Sequence, residues 1–138
     1  MNVLVAVEES KHSEKALEYA VDMAKRYEAK LTALCIAEVI EDLDGMHQIA
    51  EINAVLMHKC KDTAKRVNEY ADSHEIKIVT VIMAEPSPAD CILSYEKNNK
   101  ISVIVVGSRA KNRLEKFLLG SVAYKVVRHA GCSVVVVR

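Results

Sequence analysis

The sequence predicts a doubly wound α/β fold, in which helices cover both faces of one parallel sheet. Two observations lead to this prediction. Five short apolar runs, rich in valine and isoleucine, have the composition of strands that are buried on both faces. Four longer segments with a helical spacing of apolar residues separate these runs. Strands that alternate with helices in this way form parallel sheets with right-handed crossovers.

The composition is typical of one globular domain, which we assign to residues 1–138. Apolar residues make up 51% of the chain, enough for one buried core, and charged residues make up 28%. The 19 basic residues balance the 19 acidic ones. The chain therefore lacks the basic excess that non-specific nucleic-acid binding requires, and we expect no nucleic-acid partner.

The distribution of cysteines and the absence of long apolar runs indicate the cellular compartment of the protein. The cysteines are scattered through apolar stretches without a CxxC pair, which is typical of reduced thiols in a core; they are Cys35, Cys60, Cys91 and Cys132. The first residues, MNVLVAVEES, reach acidic residues too early for a signal peptide. No run approaches the roughly 18 apolar residues of a membrane-spanning helix. We predict a cytoplasmic protein without a membrane partner.

The first half of the chain is predicted to hold two strands, each followed by a helix. The first strand covers residues 3–7, and the helix after it is capped by Ser10 or Ser13. The second strand covers residues 30–36. An apolar stripe then runs over residues 46–71, which predicts a helix about 40 Å long whose first turns project beyond the sheet.

The second half is predicted to hold three strands and two helices. Strands are expected at residues 77–83, 102–106 and 133–137. Ser87, followed by a proline, is a good N-cap for the helix between the first two of these strands. The last helix is predicted to end where Gly131 adopts a left-handed conformation.

One segment carries the pattern of an anion-binding site. Ligands of doubly wound folds bind beyond the carboxyl ends of the strands, and GSRAKNRLEKFLLGS follows the fourth strand. Gly107 would let the backbone approach a ligand, and the pair Gly120–Ser121 would offer free N–H groups at a helix start. Four basic residues add positive charge to this segment: Arg109, Lys111, Arg113 and Lys116. The residues alone leave a second interpretation open, in which a glycine ends a strand, a serine caps a helix and the basic side chains are solvated.

The sequence resembles the universal stress protein family over essentially the whole chain. The stretches that carry the resemblance are VLVAVEES, AEPSPADCI, IVVGSRA, LLGSVAYKVVRHA and CSVVVVR. Nucleotide-binding members have Gly-x-x-Gly, nine further residues, and then Gly-Ser or Gly-Thr. Gly107, Gly120 and Ser121 occupy this spacing, and Ala110 stands where the second glycine is expected.

The resemblance implies a fold and a ligand. The fold would be Rossmann-like, of the adenine nucleotide alpha hydrolase type, with strand order 3-2-1-4-5. The protein would be a stress-response sensor or regulator that binds ATP, with Mg²⁺ supplied by the nucleotide. The residues implied at the phosphates are Gly107, Arg109, Ala110, Gly120, Ser121 and Val122. Those implied at the adenosine are Ala6 and Glu8, near the ribose and base, and Ile36, in the adenine pocket.

Two departures from the family pattern leave an alternative function open. Ala110 adds a methyl group, and Glu8 stands where nucleotide-binding members usually have the shorter Asp. The alternative is a protein of the same fold that binds no nucleotide and acts as a homodimeric interaction module. We find no positioned general base or metal-binding cluster in the sequence, so we assign no catalytic residue and expect no enzyme, although slow ATP hydrolysis stays open.

The implied strand order also predicts how the protein assembles. It places the last strand at a sheet edge, where four consecutive valines would be an aggregation hazard if left unpaired. Pairing with the same strand of a second copy hides both edges. We therefore predict a homodimer through Val134, Val135, Val136 and Val137, together with an unidentified protein partner. Residues 38–44 could form either a lid over the site or a solvated linker.

Overall fold

A computed structural model describes residues 1–8, 10–41, 45, 47–108 and 119–138. Strands and helices alternate along these residues, as the apolar runs and helical stripes predict. In chain order they are β1 (Asn2–Val7), α1 (Lys11–Tyr27), β2 (Lys30–Glu38), α2 (His47–Ser73), β3 (Ile78–Glu85), α3 (Pro88–Asn98), β4 (Val103–Gly107), α4 (Ser121–His129) and β5 (Ser133–Val137).

The strands form one parallel sheet in the order β3-β2-β1-β4-β5, which confirms the predicted fold class and strand order. In the central strand β1, Val5 lies beside Ala33 of β2 on one side and Val105 of β4 on the other. The chain turns back at β1, so the carboxyl ends of β1 and β4 flank the point where the strand order reverses. Ligands bind at such points in open α/β sheets.

Two apolar cores cover the two faces of the sheet. Val3 and Val5 of β1 face a cluster that includes buried residues of α1 and α2. Leu4 faces the opposite cluster, which includes Ile92 of α3 and Val126 of α4. This alternation along one strand explains why the strands read as continuous apolar runs in the sequence.

Serine side chains cap two of the helices. Ser10, rather than Ser13, is the N-cap of α1 and accepts a hydrogen bond from the Ser13 N–H at 3.1 Å. The Ser13 hydroxyl instead accepts the N–H of Glu8 at 2.6 Å, which ties the end of β1 to the first turn of α1. Ser87 caps α3 as predicted, accepting from the Asp90 N–H at 3.3 Å.

The predicted ending of α4 is wrong. Gly131 is not among the residues with positive φ, and the chain leaves α4 through Ala130 in an extended conformation (φ −64°, ψ 141°). Only three residues separate α4 from β5, and an extended exit leads directly into that strand. A left-handed cap does end α1, where Glu28 has φ 51°.

Two strands are longer than predicted. β2 continues to Glu38 and β3 to Glu85, two residues beyond the predicted ends of both strands, because Glu38 and Glu85 pair with each other in the sheet. Main-chain hydrogen bonding therefore extends these strands past their apolar runs. As a consequence, the Glu38 side chain stands at the carboxyl edge of the sheet.

The first half of α2 projects beyond the sheet, as its length predicts. Ile52 and Val55 are 47% and 56% exposed, whereas Cys60 is buried. The side chain of Asn53 holds the segment after β2 against this helix, since it accepts from the N–H and donates to the C=O of Ile40, both at 2.8 Å. Residues 42–44 lie outside the described part of the chain, so the choice between lid and linker stays a prediction. None of the helices described here combines the length and apolar character needed to cross a bilayer.

Candidate functional site

A cleft of about 500 Å³ opens at the carboxyl edge of the sheet. Its walls come from the tips of β1, β2 and β4 and from the first turns of α1, α3 and α4. This is the edge at which parallel sheets of this type bind ligands, and the volume lies within the range of small-molecule sites.

The structure brings most of the predicted site residues together around this cleft. The predicted residues that line it are Ala6, Glu8, Ile36, Gly107, Gly120, Ser121 and Val122. Arg109 and Ala110 lie outside the described residues, as do the basic side chains between residues 111 and 116. The role of each of these residues in binding remains a prediction.

The inner wall of the cleft is apolar. Leu34 of β2 and Val106 of β4 line it and are almost fully buried, as is Ile92 of α3. Ile36 is half-buried and lies at the end of the same wall as Leu34, since side chains two residues apart on a strand share a face. Such a surface suits a flat apolar group. Ile92 was not predicted here, although the N-cap at Ser87 is a sequence signal that α3 begins at this edge.

Two carboxylates stand at the mouth of the cleft. Glu8 follows β1 and is exposed, and the Ser10 hydroxyl donates to its carboxylate at 3.4 Å. Glu38 ends β2 and lines the same cleft. Carboxylate oxygens accept hydrogen bonds from hydroxyl groups, so this part of the cleft suits a ligand that carries hydroxyls. The sequence placed Glu38 just after the predicted end of β2, among residues 38–44 that could form a lid, but it did not identify Glu38 as a site residue.

The first turn of α4 offers hydrogen-bond donors that no side-chain cap engages. Gly120 is the N-cap, in an extended conformation (φ −61°, ψ 158°), and it has no side chain to accept from the first N–H groups of the helix. In contrast, the first turns of α1 and α3 are capped by serines. Ser121, Val122 and Ala123 line the cleft. Free N–H groups at the positive end of a helix dipole bind anions.

Gly107 brings α1 and β4 into direct backbone contact. A Cβ atom built on Gly107 would lie 2.8 Å from the carbonyl oxygen of His12 and 2.9 Å from its carbonyl carbon. The glycine is therefore required by packing against α1, whereas the sequence suggested only close approach of a ligand. His12 itself lines the cleft, and sequence reasoning did not identify it as a site residue.

An ion pair joins the two helices that cover one side of the cleft. Nζ of Lys125 in α4 lies 2.7 Å from the carboxylate of Asp90 in α3. Hydrogen bonds from Lys125 and Ser87 hold the pKa of Asp90 below its usual range.

Cys91 lies on the same helix, α3, and burial and the nearby Glu85 raise the pKa of its thiol to about 11, so this thiol is un-ionised at neutral pH. Within the described ranges, no group of three or more His, Cys, Asp or Glu side chains is placed to hold a metal ion.

Comparisons with known proteins agree with this architecture. The chain is 34% identical to universal stress protein YxiE of Bacillus subtilis, with 99% of this chain and 97% of that protein covered. It is 30% identical to universal stress protein MJ0531 of Methanocaldococcus jannaschii, with 99% and 81% covered. The solved structure of UspA from Lactobacillus plantarum superimposes with a TM-score of 0.86 at 27% identity, covering 100% of this chain and 97% of that one.

Three solved structures with the same fold were determined with a nucleotide. One is a universal stress protein from Archaeoglobus fulgidus in complex with dAMP, with a TM-score of 0.73 at 18% identity, covering 100% of this chain and 98% of that one. Another is a universal stress protein in complex with cAMP (TM-score 0.76, 21% identity, 100% and 97% covered). The third, from Arabidopsis thaliana, has AMP bound (TM-score 0.69, 17% identity, 99% and 91% covered). The sequence profile of the universal stress protein family matches residues 1–138. The chain belongs to the universal stress protein family.

Proposed function

We propose that this protein binds ATP in the cleft at the carboxyl edge of its sheet and acts as a stress-response sensor or regulator. The observation that carries the proposal is the first turn of α4, which has no side-chain cap and faces a cleft with an apolar inner wall. One end of this cleft suits an anion and the other a flat apolar ring. An adenine nucleotide has both groups.

The adenine ring would occupy the apolar part of the cleft. Leu34, Ile36 and Val106 provide a wall that excludes water, and burying a flat ring there is favoured at roughly 25 cal/mol per Å² of apolar surface. The backbone of Ala6, at the end of β1, lies beside this wall. Main-chain groups at strand ends can then select adenine over other bases by hydrogen bonding.

The ribose would lie at the mouth, near Glu8 and Glu38. Both carboxylates line the cleft and can accept hydrogen bonds from ribose hydroxyls. The longer side chain of Glu8, compared with the usual Asp, is accommodated because Glu8 is exposed at the tip of β1. A carboxylate one methylene further out shifts this contact without removing it.

The phosphates would bind at the start of α4. The N–H groups of Ser121 and Val122 and the Ser121 hydroxyl are the donors, and the backbone at Gly107 lies on the opposite strand tip. Arg109 and Ala110 belong to the same proposed phosphate site, and Mg²⁺ would arrive bound to the nucleotide. The three nucleotide-bound relatives support an adenine nucleotide as the class of ligand.

We propose that the protein signals by whether ATP is bound, and not by releasing a reaction product. We assign no catalytic residue, so ATP would stay bound long enough to change which protein partner the chain engages. The surface for assembly would be β5, the edge strand, whose valines are only half-buried; they are Val134, Val135, Val136 and Val137. Pairing of two β5 strands would give a homodimer. The cysteines are free thiols, which supports a reducing compartment such as the cytoplasm.

Titration calorimetry of the nucleotide-stripped protein with Mg-ATP tests the proposal, with Mg-GTP as the control ligand. Micromolar binding of ATP that GTP does not reproduce is the expected result. No heat and no thermal shift at millimolar ATP, in a protein that is folded by circular dichroism, would overturn it. The same fold acting as a nucleotide-free interaction module would then be the function to pursue.

A proline substitution at the first position of α4 tests where the phosphates bind. Ser121→Pro removes the N–H at the first position of α4 but keeps the helix, because proline is favoured there and the extended Gly120 is a suitable residue to precede it. The matched control, Ser121→Ala, removes only the hydroxyl. We expect Ser121→Pro to weaken ATP binding by about tenfold or more, and Ser121→Ala to weaken it less. Equal, small effects of both would exclude the start of α4 as the phosphate site.

A further inference from the structure

We propose that the carboxylate of Glu38 restricts the cleft to adenine nucleotides with free ribose hydroxyls, and excludes those that carry a phosphate at the 2′ or 3′ position. The inference rests on the proposed function and deepens it, because it names the class of adenine nucleotide that the site accepts. It concerns a residue that the sequence did not identify as part of the site.

Glu38 stands at the tip of β2, which rises above the ends of the two central strands. Val7, the last residue of β1, pairs with Cys35, and β2 continues for three more residues to Glu38. β4 ends level with β1. At about 3.3 Å per residue, the tip of β2 therefore rises roughly 10 Å above both neighbouring tips. Glu38 lies two positions after Ile36 on this raised segment, so the two side chains share the face that lines the cleft.

The backbone at Glu38 and just after it is held in place. Glu38 pairs with Glu85 of β3, and the N–H of Val39 donates to the C=O of Glu85 at 3.2 Å. One residue further along, the amide of Asn53 accepts from the N–H and donates to the C=O of Ile40, both at 2.8 Å. These bonds fix the raised tip of β2, so the Glu38 carboxylate stays within a side-chain length of the mouth when a ligand enters.

The cleft is acidic at one end and suited to anions at the other. Glu38 ends β2 and Glu8 follows β1, whereas α4 packs against α3 and against β5, the edge strand on the other side of β1. Among the described residues that line the cleft, none is a lysine or an arginine. A nucleotide whose 5′-phosphates lie at the first turn of α4 would accordingly bring its ribose hydroxyls to the acidic end.

A carboxylate interacts in opposite ways with a hydroxyl group and with a phosphate group. It accepts a hydrogen bond from a ribose hydroxyl, whereas a phosphate ester at the same position carries about 1.5 to 2 negative charges at pH 7. Like charges that meet in a binding site lower the affinity for the wrong ligand. Dinucleotide-binding sheets use the same chemistry, since an acidic side chain there binds the free 2′-hydroxyl and an arginine accommodates the 2′-phosphate.

Titration calorimetry with AMP, adenosine 2′,5′-bisphosphate and adenosine 3′,5′-bisphosphate tests the inference. The unchanged protein should bind each bisphosphate at least about tenfold more weakly than AMP. Glu38→Gln keeps an oxygen that accepts from hydroxyls but removes the charge. This variant should bind AMP within about threefold of the unchanged protein and lose most of the discrimination against at least one bisphosphate. Glu38→Arg should bind that bisphosphate more tightly than AMP, because it pairs with the added phosphate.

Glu85→Gln is the matched control, because it removes the same charge from the end of the neighbouring strand. Glu85 pairs with Glu38 in the sheet but is not among the residues that line the cleft. Discrimination between AMP and the bisphosphates should therefore stay as in the unchanged protein. An equal loss of discrimination in Glu85→Gln and Glu38→Gln would indicate a general effect of negative charge, and the role of Glu38 at the ribose would be overturned.

The outcomes also separate this inference from the function on which it rests. If the unchanged protein binds AMP and both bisphosphates equally well, or if Glu38→Gln discriminates as the unchanged protein does, the inference is overturned and the proposed function stands. If a protein that is folded by circular dichroism binds no adenine nucleotide, both fall. Glu38 is exposed, so its replacement by glutamine removes no buried contact, and this variant decides the matter even if Glu38→Arg fails to fold.

Discussion

The carbonyl oxygen of His12 occupies the space that a side chain on Gly107 would need, since a Cβ atom on Gly107 would come within 2.8 Å of it. The carbonyl group belongs to the backbone, and the backbone fixes the position of a Cβ atom, so no side-chain rotation can relieve the contact. We expect Gly107→Ala to lower the free energy of unfolding by about 1–3 kcal/mol and to displace the first turn of α1. Urea unfolding followed by circular dichroism measures the first effect.

Gly131→Ala is the matched control for this substitution. Its Cβ would lie 3.1 Å from Oε1 of Glu96, the end of a flexible side chain that can move away. Gly131 does not have a positive φ, so alanine is not strained there. The stability of this variant should stay close to that of the unchanged protein. Equal losses for the two variants would contradict the packing role of Gly107.

The ion pair between Asp90 and Lys125 predicts that the stability of the fold decreases at acidic pH. The pKa of Asp90 is lower in the folded protein than in the unfolded chain, chiefly because Lys125 donates to its carboxylate. The pair therefore stabilises the fold at pH values above the usual range of aspartate, and this contribution disappears as the pH falls through the lowered pKa. Asp90→Asn should be less stable than the unchanged protein at neutral pH and equally stable in strong acid.

The control for the ion pair is a pair confined to one helix. Asp22 and Arg26 lie 2.9 Å apart within α1, so Asp22→Asn breaks no contact between two elements of the fold and should change stability little at any pH. Thermal unfolding at a series of pH values compares the two variants. A stability difference for Asp90→Asn that persists unchanged into acid would show that the charge on Asp90 is not its cause.

The four cysteines should differ in reactivity. Cys132 is half-buried, whereas Cys35, Cys60 and Cys91 are buried, and burial raises the pKa of Cys35 to about 12. We expect iodoacetamide to modify Cys132 first and the other three thiols only on unfolding. The pKa of Cys132 is itself raised, by burial and by Glu96, so its modification rate should still be increasing above pH 9. Mass spectrometry of peptides after timed quenching checks both points, and early labelling of Cys35 would contradict them.

The proposed dimer predicts a dependence on protein concentration. Sedimentation velocity at micromolar concentration should show two chains per particle, and a monomer there would contradict the proposal. Hydrogen exchange localises the contact, because the outward amides of β5 should be protected in the dimer and should lose this protection on dilution. Amides of β3, the other sheet edge, serve as the internal control and should not change.

The sequence predicts the fold well because the strands and the helices both depend on local patterns of apolar residues. The valine-rich runs form the strands, and the stripe along α2 predicts its length and the projection of its first turns. The cleft is predicted for a related reason: in a parallel sheet, the tips of β1, β2 and β4 must meet at one edge. Parallel pairing places Ile36 and Gly107, at strand ends, on that edge, whereas Ala6 and the strand order were implied by the resemblance to the family.

The features that escaped prediction depend on contacts between distant segments. His12 lines the cleft because α1 packs against β4, a contact that no pattern within α1 encodes. Glu38 lines it because β2 and β3 pair beyond their apolar runs. Asn53 falls on an apolar helical stripe, and only the structure shows that its amide binds the backbone of Ile40. In each case the decisive partner is remote in the sequence or is a backbone group.

The pairing of β1 with β4 predicts an order of events in folding. Where these strands begin, the N–H of Asn2 donates to the hydroxyl of Ser102, which joins residues 100 positions apart. Closing so long a loop is slow compared with pairing β1, β2 and β3, which follow one another along the chain. The cleft needs β1 and β4 side by side, so a partly folded chain has no ligand site. A bound nucleotide would accordingly slow unfolding and leave the rate of folding unchanged.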